Sequence, residues 1–234
     1  EQTKVIIGYL EDISAGEEFV KAAEAAAAEK PVVLMKSGVT PTGLKAAASH
    51  TGALAPVDSA YGAAFRRSGV VQAENFEALF DFSAALALQP LPRGDRVLII
   101  TNAGGPGTMA ADAVEKAGLR VAILDNRTIT LLREKLPRES AVNNPMHVLR
   151  DADPQRYAAA IESLPGRNEL CAAGLPDFDS PERAVAALRA MHHYALWKHR
   201  PPRQITHFRV NRRRVERIIT RRLRAIAFDD NWQL

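Results

Sequence analysis

With a single cysteine, Cys171, in 234 residues, the chain holds neither an internal disulfide framework nor a cysteine-rich metal site. Aromatic residues are scarce at 6%, although the apolar share of 47% is that of an ordinary globular protein. No run of about 18 apolar residues exists, which excludes a membrane-spanning helix. The opening residues, Glu1-Gln2-Thr3-Lys4, lack the charged and apolar segments of a secretion signal, so the cytoplasm is the expected location. An excess of one charge is also missing from most of the chain. From Lys198 onward eleven Lys/Arg face three Asp/Glu, so the net +4 of the whole sequence leaves the first 197 residues at −4. A mildly acidic body with a basic tail is not the profile of a dedicated nucleic-acid-binding fold.

What is present is an alternation of short apolar runs and alanine-rich segments. Lys4–Leu10 reads as a buried strand, Glu17 to Glu29 as a helix, and Pro31–Met35 as a second strand. A loop over Ser37 to Ser49 follows, on the strength of Gly38, Pro41 and Gly43, with a helix expected from Thr51-Gly52 to Arg67 and capped by Gly69. Val70–Gln72 is a short strand and Phe76 to Leu88 a helix. After Leu91–Asp95 the pattern restarts: strand Arg96–Thr101, a tight loop Asn102–Gly107, helix Thr108–Ala117, strand Val121–Leu124, helix Thr128–Leu136 and helix Pro154–Leu164. This order predicts an α/β fold with parallel sheets, in two units joined near Arg93.

Two strand–loop–helix junctions are placed where open α/β sheets bind ligands, at the carboxyl ends of strands. One is Ser49-His50-Thr51-Gly52-Ala53; the other is Asn102-Ala103-Gly104-Gly105-Pro106-Gly107. Small residues let backbone approach a ligand, and a following helix offers unpaired N–H groups and partial positive charge, which suits a phosphate. A glycine-rich turn alone is as often a mere tight turn, and a loop histidine alone is more often without a role.

Taken together, these segments resemble a specific family. Lys36-Ser37-Gly38 followed by Ala48-Ser49-His50-Thr51-Gly52-Ala53-Leu54-Ala55 resembles the phosphohistidine segment of the ADP-forming acetyl-CoA synthetases, relatives of succinyl-CoA synthetase. Thr101 to Gly107 is similar to the second motif of the same nucleoside-diphosphate-forming acyl-CoA synthetase family, in the same order. The resemblance implies two flavodoxin-like units, 1–92 and 93–164, with a hinge remnant and basic helix over 165–234. It implies His50 as the phosphate-carrying residue and Glu11, at the end of the first strand, as the carboxylate holding its ring. Thr51, Gly52, Asn102, Ala103, Gly104, Gly105 and Gly107 would hold the phosphate. A neutral imidazole nitrogen can attack an acyl phosphate or a nucleotide γ-phosphate to form a phosphoramidate. A carboxylate on the other nitrogen fixes the tautomer, and N–H groups stabilise the transferred charge.

The same resemblance marks departures. Members of the family have an Asp where His147 stands and a Gly where Arg150 stands. Pro165–Cys171 has no counterpart, and Ala172–Val185 resembles a later hinge segment. Neither the CoA-binding domain nor the ATP-grasp domain is expected within 1–234. The chain itself is therefore expected to bind no cofactor beyond phosphate on His50. CoA, ADP or ATP and Mg2+ would be used by the complete enzyme, with CoA-binding and ATP-grasp domains or subunits as partners, in a homo- or hetero-oligomer. The substrate would be a small acyl-CoA or carboxylate; no metal site, membrane or nucleic-acid partner is expected for the body. After Asn211, apolar residues at 215, 218, 219, 223 and 226 share a helical face among arginines. That helix could dock on a partner subunit or missing domain, lie on an anionic membrane or RNA surface, or simply be solvated. The competing functional class is a non-catalytic regulatory or assembly module derived from the same family.

Overall fold

The computed structural model describes residues 2–13, 15–51, 58–164 and 176–201, together with 217 and 220; for 44, 47, 48, 50, 51 and 58–60 it describes backbone alone. Residues 1–200 form one compact unit and 201–234 a second. The expected features of the basic tail and of the Pro165–Cys171 junction lie almost entirely outside the described residues. Among the described residues no helix is long and apolar enough to cross a membrane.

The first half is built on three parallel strands, β1 (Ile6–Leu10), β2 (Val32–Lys36) and β3 (Val71–Ala73), in the order β1-β2-β3. Every residue of the central β2 is buried, which is why Val32 to Met35 is an unbroken apolar run rather than an alternating one. Helix α1 (Gly16–Glu29) buries Val20, Ala23 and Ala27, one stripe at helical spacing. The sequence predicts a loop over 37–49, where α2 instead spans Pro41–Thr51. Of the helix expected from 51 to 67, residues 52–57 lie outside the described residues and α3 spans Asp58–Ser68. Pro41 begins a helix rather than preventing one, because the first helical position needs no N–H partner. Thr40 Oγ1 accepts from the Gly43 N–H at 3.1 Å and caps that end. Gly43 belongs to close packing, since a Cβ there would sit 3.2 Å from the Gly38 Cα. Helix α4 (Phe76–Leu88) begins at Asn75, whose side chain accepts from the Ala78 N–H, and packs on all three strands.

The second half has shorter strands than expected. The predicted strand 96–101 is divided into β4 (Arg96–Val97) and β5 (Ile100–Thr101), followed by helix α5 (Gly104–Lys116). Strand β6 (Arg120–Val121) pairs with β4, helix α6 (Asn126–Lys135) follows, and β7 (Met146–His147) pairs with β5, all in parallel. The division has a side-chain cause. The Asn144 amide lies across the break, donating from Nδ2 to the carbonyls of Val97 and Ala122 at 2.9 Å each and accepting from the Ile99 N–H at 2.9 Å. The expected strand 121–124 stops early, and Ile123 is 95% exposed. Helix α7 (Pro154–Glu162) starts at Asp153, whose carboxylate accepts from the Arg156 N–H.

Helix α8 (Pro181–Lys198) packs against both α4 and α5 and so joins the halves. Its Val185 enters the core around Ile99, Val114 and Leu119. Farther along, Ala187, Ala190, Met191 and Tyr194 enter the core of the first half. The Arg183 guanidinium pairs with both Asp81 oxygens at 2.7 and 2.9 Å, which raises its pKa. Tyr194 donates its hydroxyl to the Ala27 carbonyl at 2.7 Å, and burial pushes its pKa up to about 12. The Trp197 indole lies on Gly69, where φ is +77° and a Cβ would fall 2.3 Å from the ring.

Candidate phosphoryl site

The carboxyl ends of β1 and β2 form the first candidate region. Glu11 directly follows β1 and is exposed. His50 and Thr51 form the last two positions of α2; their side chains, and Gly52 entirely, lie outside what is described. His50 therefore lies within a helix and not in a loop ahead of one. Of the residues that the structure does bring together here, Lys36 and Ser37 belong to the segment that carries the family resemblance, but the sequence assigns no role to them, to Asp12 or to Tyr61. Leu10 and Lys36 are register partners at the end of the sheet, and Ser37 donates its N–H to the Leu10 carbonyl at 3.0 Å. The Lys36 side chain donates to the Ser37 carbonyl, and its ammonium sits 4.6 Å from the centroid of the Tyr61 ring. Tyr61, on α3, donates its hydroxyl to Asp12 at 2.7 Å. Burial and the bond to the Asp12 carboxylate hold the phenol above its usual pKa. One sequence signal was available: Lys36 is a charged residue ending an otherwise wholly apolar strand.

The second region follows β5. Asn102 and Ala103 make the bend, and α5 already begins at Gly104, four residues earlier than the sequence suggested. Thr101 tightens the bend by accepting from the Ala103 N–H at 3.0 Å and donating to the Ala103 carbonyl at 2.8 Å. Ala103 occupies the cap position and supplies no side-chain acceptor, so the first-turn N–H groups of α5 have no side-chain partner from the cap. A Cβ on Gly104 or Gly105 would meet nothing within 4 Å, whereas one on Gly107 would meet Thr101 Cγ2 at 2.8 Å. The three glycines thus divide: Gly107 lets α5 sit against its strand, while Gly104 and Gly105 leave open space beside the helix end. His147 is the register partner of Thr101, so this departure from the family pattern borders the same bend. Among the described residues no group of three His, Cys, Asp or Glu could hold a metal ion.

Comparison with known proteins bears on both regions. Residues 1–86 match the family described as succinyl-CoA ligase like flavodoxin domain. Acetate–CoA ligase [ADP-forming] I of Archaeoglobus fulgidus is 36% identical over an alignment covering 83% of this chain and 35% of that protein. The alpha subunit of acetate–CoA ligase [ADP-forming] II of Pyrococcus furiosus is 42% identical over 70% of this chain and 36% of its own length. This chain belongs to the NDP-forming acyl-CoA synthetase family. The chain spans about a third of the length of these two relatives. A solved acyl-CoA synthetase of this family, the dinucleotide-forming acetyl-coenzyme A synthetase 1 of Ca. Korarchaeum cryptofilum in complex with phosphate and ADP, superposes with a TM-score of 0.72 at 25% identity. That superposition covers 84% of this chain and 54% of the other. The α/β fold with flavodoxin-like parallel sheets is therefore that of the family.

Proposed function

We propose that this chain is the phosphohistidine-carrying portion of an acyl-CoA synthetase catalysing acyl-CoA + ADP + phosphate ⇌ carboxylate + ATP + CoA. His50 is the carrier. Its imidazole nitrogen attacks the phosphorus of an acyl phosphate, the N–P bond forms as the P–O bond breaks, and the carboxylate leaves. Glu11 orients the ring and stabilises its developing positive charge. The Asn102–Gly107 segment receives the transferred group on the N–H groups of α5, with Thr51 and Gly52 serving the histidine side. What most supports this reading is the open, uncapped start of α5 at Gly104 and Gly105. It is found in a chain that also carries the family's histidine segment.

CoA-binding and nucleotide-binding functions belong in this proposal to other domains or partner subunits. One of the similar proteins is itself designated an alpha subunit. The division of labour is thus 1–92 for the histidine unit, 93–164 for the phosphate loop and 165–234 for joining to the remainder. The test is labelling of the tagged chain by γ-labelled ATP and magnesium in extract of the source cells, beside His50→Ala. Acid-labile, base-stable label on the wild type alone is expected. A folded wild-type chain that takes no label overturns the carrier role and leaves a non-catalytic regulatory or assembly module.

A further inference from the structure

We infer that Tyr61 is a positioning residue for Glu11: its hydroxyl holds Asp12 and so fixes the turn that carries the Glu11 carboxylate. The inference rests on the phosphohistidine reading, in which Glu11 orients the ring of His50, and adds to it the residue that holds Glu11 in place.

Glu11 is exposed and stands one residue beyond β1, so the direction of its carboxylate depends on the backbone on either side. On the strand side that backbone is tied: Leu10 is the register partner of Lys36, and its carbonyl accepts from the Ser37 N–H. On the other side the usual tie is missing, because Ala15, at the cap position of α1, supplies no side-chain acceptor. What holds the turn there comes from α3. The Tyr61 hydroxyl donates to Asp12 Oδ1 at 2.7 Å across 49 positions of sequence, and a carboxylate acceptor makes this one of the stronger classes of hydrogen bond. Burial and the Asp12 carboxylate raise the phenol pKa, while the Ile13 backbone N–H, directed at the same oxygen, opposes them. The Ile13 side chain packs against the core of the first half. Tyr61 is itself held, being 4% exposed with the Lys36 ammonium 4.6 Å from its ring centroid. A buried tyrosine needs a partner for its hydroxyl. Tyr194 meets that need with a backbone carbonyl, that of Ala27; Tyr61 meets it with the side chain next to Glu11. A catalytic carboxylate keeps its productive geometry when the residues behind it are packed, and small displacements are costly in rate.

The experiment follows the rate of His50 labelling of the tagged full chain in extract, with labelled ATP and magnesium, from about pH 5 to about pH 8. The variants are Tyr61→Phe, Asp12→Ala, Asp12→Asn, Glu11→Gln and the pair Tyr61→Phe with Glu11→Gln. Tyr61→Phe keeps the ring beside Lys36 and removes only the hydroxyl, and thermal unfolding checks that each variant is folded. Labelling of Tyr61→Phe should slow by about tenfold or more. Asp12→Ala should match it, and Asp12→Asn, which still offers the phenol an oxygen, should recover most of the loss. A carboxylate beside an imidazole raises its pKa, and only the neutral ring attacks. Loosening Glu11 should therefore move the acid limb of the pH profile to lower pH in Tyr61→Phe, in the same direction as in Glu11→Gln. In the pair, Tyr61→Phe should add almost nothing to the effect of Glu11→Gln. Tyr61→Phe that is labelled like wild type overturns the inference. So does a loss that multiplies fully with that of Glu11→Gln and leaves the acid limb in place, since that is a structural effect alone. Glu11→Gln labelled like wild type overturns the role of Glu11 and this inference with it, and leaves His50 as the carrier. A folded wild type that takes no label overturns the phosphohistidine reading itself.

Discussion

The two halves of residues 1–200 solve the same problem by different means. In the first, strands of five, five and three residues lie in one continuous sheet around a fully buried β2, and backbone bonds carry the register. In the second, no strand among the described residues exceeds two residues, and the sheet is stitched where it breaks by one side-chain amide, that of Asn144. A ladder distributes its loss over many bonds. A stitch concentrates it, and neither half stands apart from α8, which buries residues in both cores.

The hardest way to break this comparison is to remove the clamp. Tyr194→Ala deletes a side chain that is 2% exposed together with its bond to Ala27. It should cost about 3–5 kcal/mol in urea unfolding, and both halves should lose stability in a single shifted transition. Two separate transitions would show that the halves are independent. Asn144→Ala comes next. It strips two carbonyls and one N–H of their partners and should cost about 2–3 kcal/mol, with hydrogen exchange accelerated at the Ile99 amide and unchanged at Val33. Equal acceleration at both would erase the distinction between stitch and ladder.

A smaller effect sharpens the contrast within the second half. Gly107→Ala pushes a methyl against the β-branched Thr101 and should cost about 1–3 kcal/mol. Gly105→Ala meets only open space and should leave stability within about 1 kcal/mol of wild type, on the favourable side. Any loss of His50 labelling in Gly105→Ala then reports on the phosphate site and not on folding. The least effect belongs to His193 on α8. Burial, and then the nearby positive charges of Arg189 and His192, hold it below the ordinary histidine pKa of 6.5. The unfolded chain therefore takes up a proton at a pH where the folded chain does not. The stability of the folded state falls as pH drops from above 6.5 toward the lowered native value. His193→Gln should remove that dependence, narrowing the difference in melting point between pH 7.5 and pH 5.5.

The sequence was most legible where one residue type fills one element. The apolar run of β2 and the Phe76–Leu88 helix, with Asn75 before it, are found where they were expected. Reading failed where a residue has two structural uses. Pro41 and Gly43 read as loop formers, but one begins α2 and the other lets it pack near Gly38. It also failed where the cause is distant: the break in strand 96–101 is set by Asn144, 45 residues from Ile99. Of the candidate site, the glycine segment was recognisable, although α5 starts inside it. The Asp12–Tyr61–Lys36 group was not, because its members meet only through contacts between residues as much as 49 positions apart.

The position of α8 in the chain has a kinetic consequence. Its bonds to the first half join residues separated by 102 positions at Arg183–Asp81 and 167 at Tyr194–Ala27. A nascent chain emerging from the ribosome must therefore hold Phe65, Leu86 and Val114 without their cover until Pro181 to Lys198 has been made. During that interval the nascent protein offers chaperones an apolar cleft, which α8 then closes in one step.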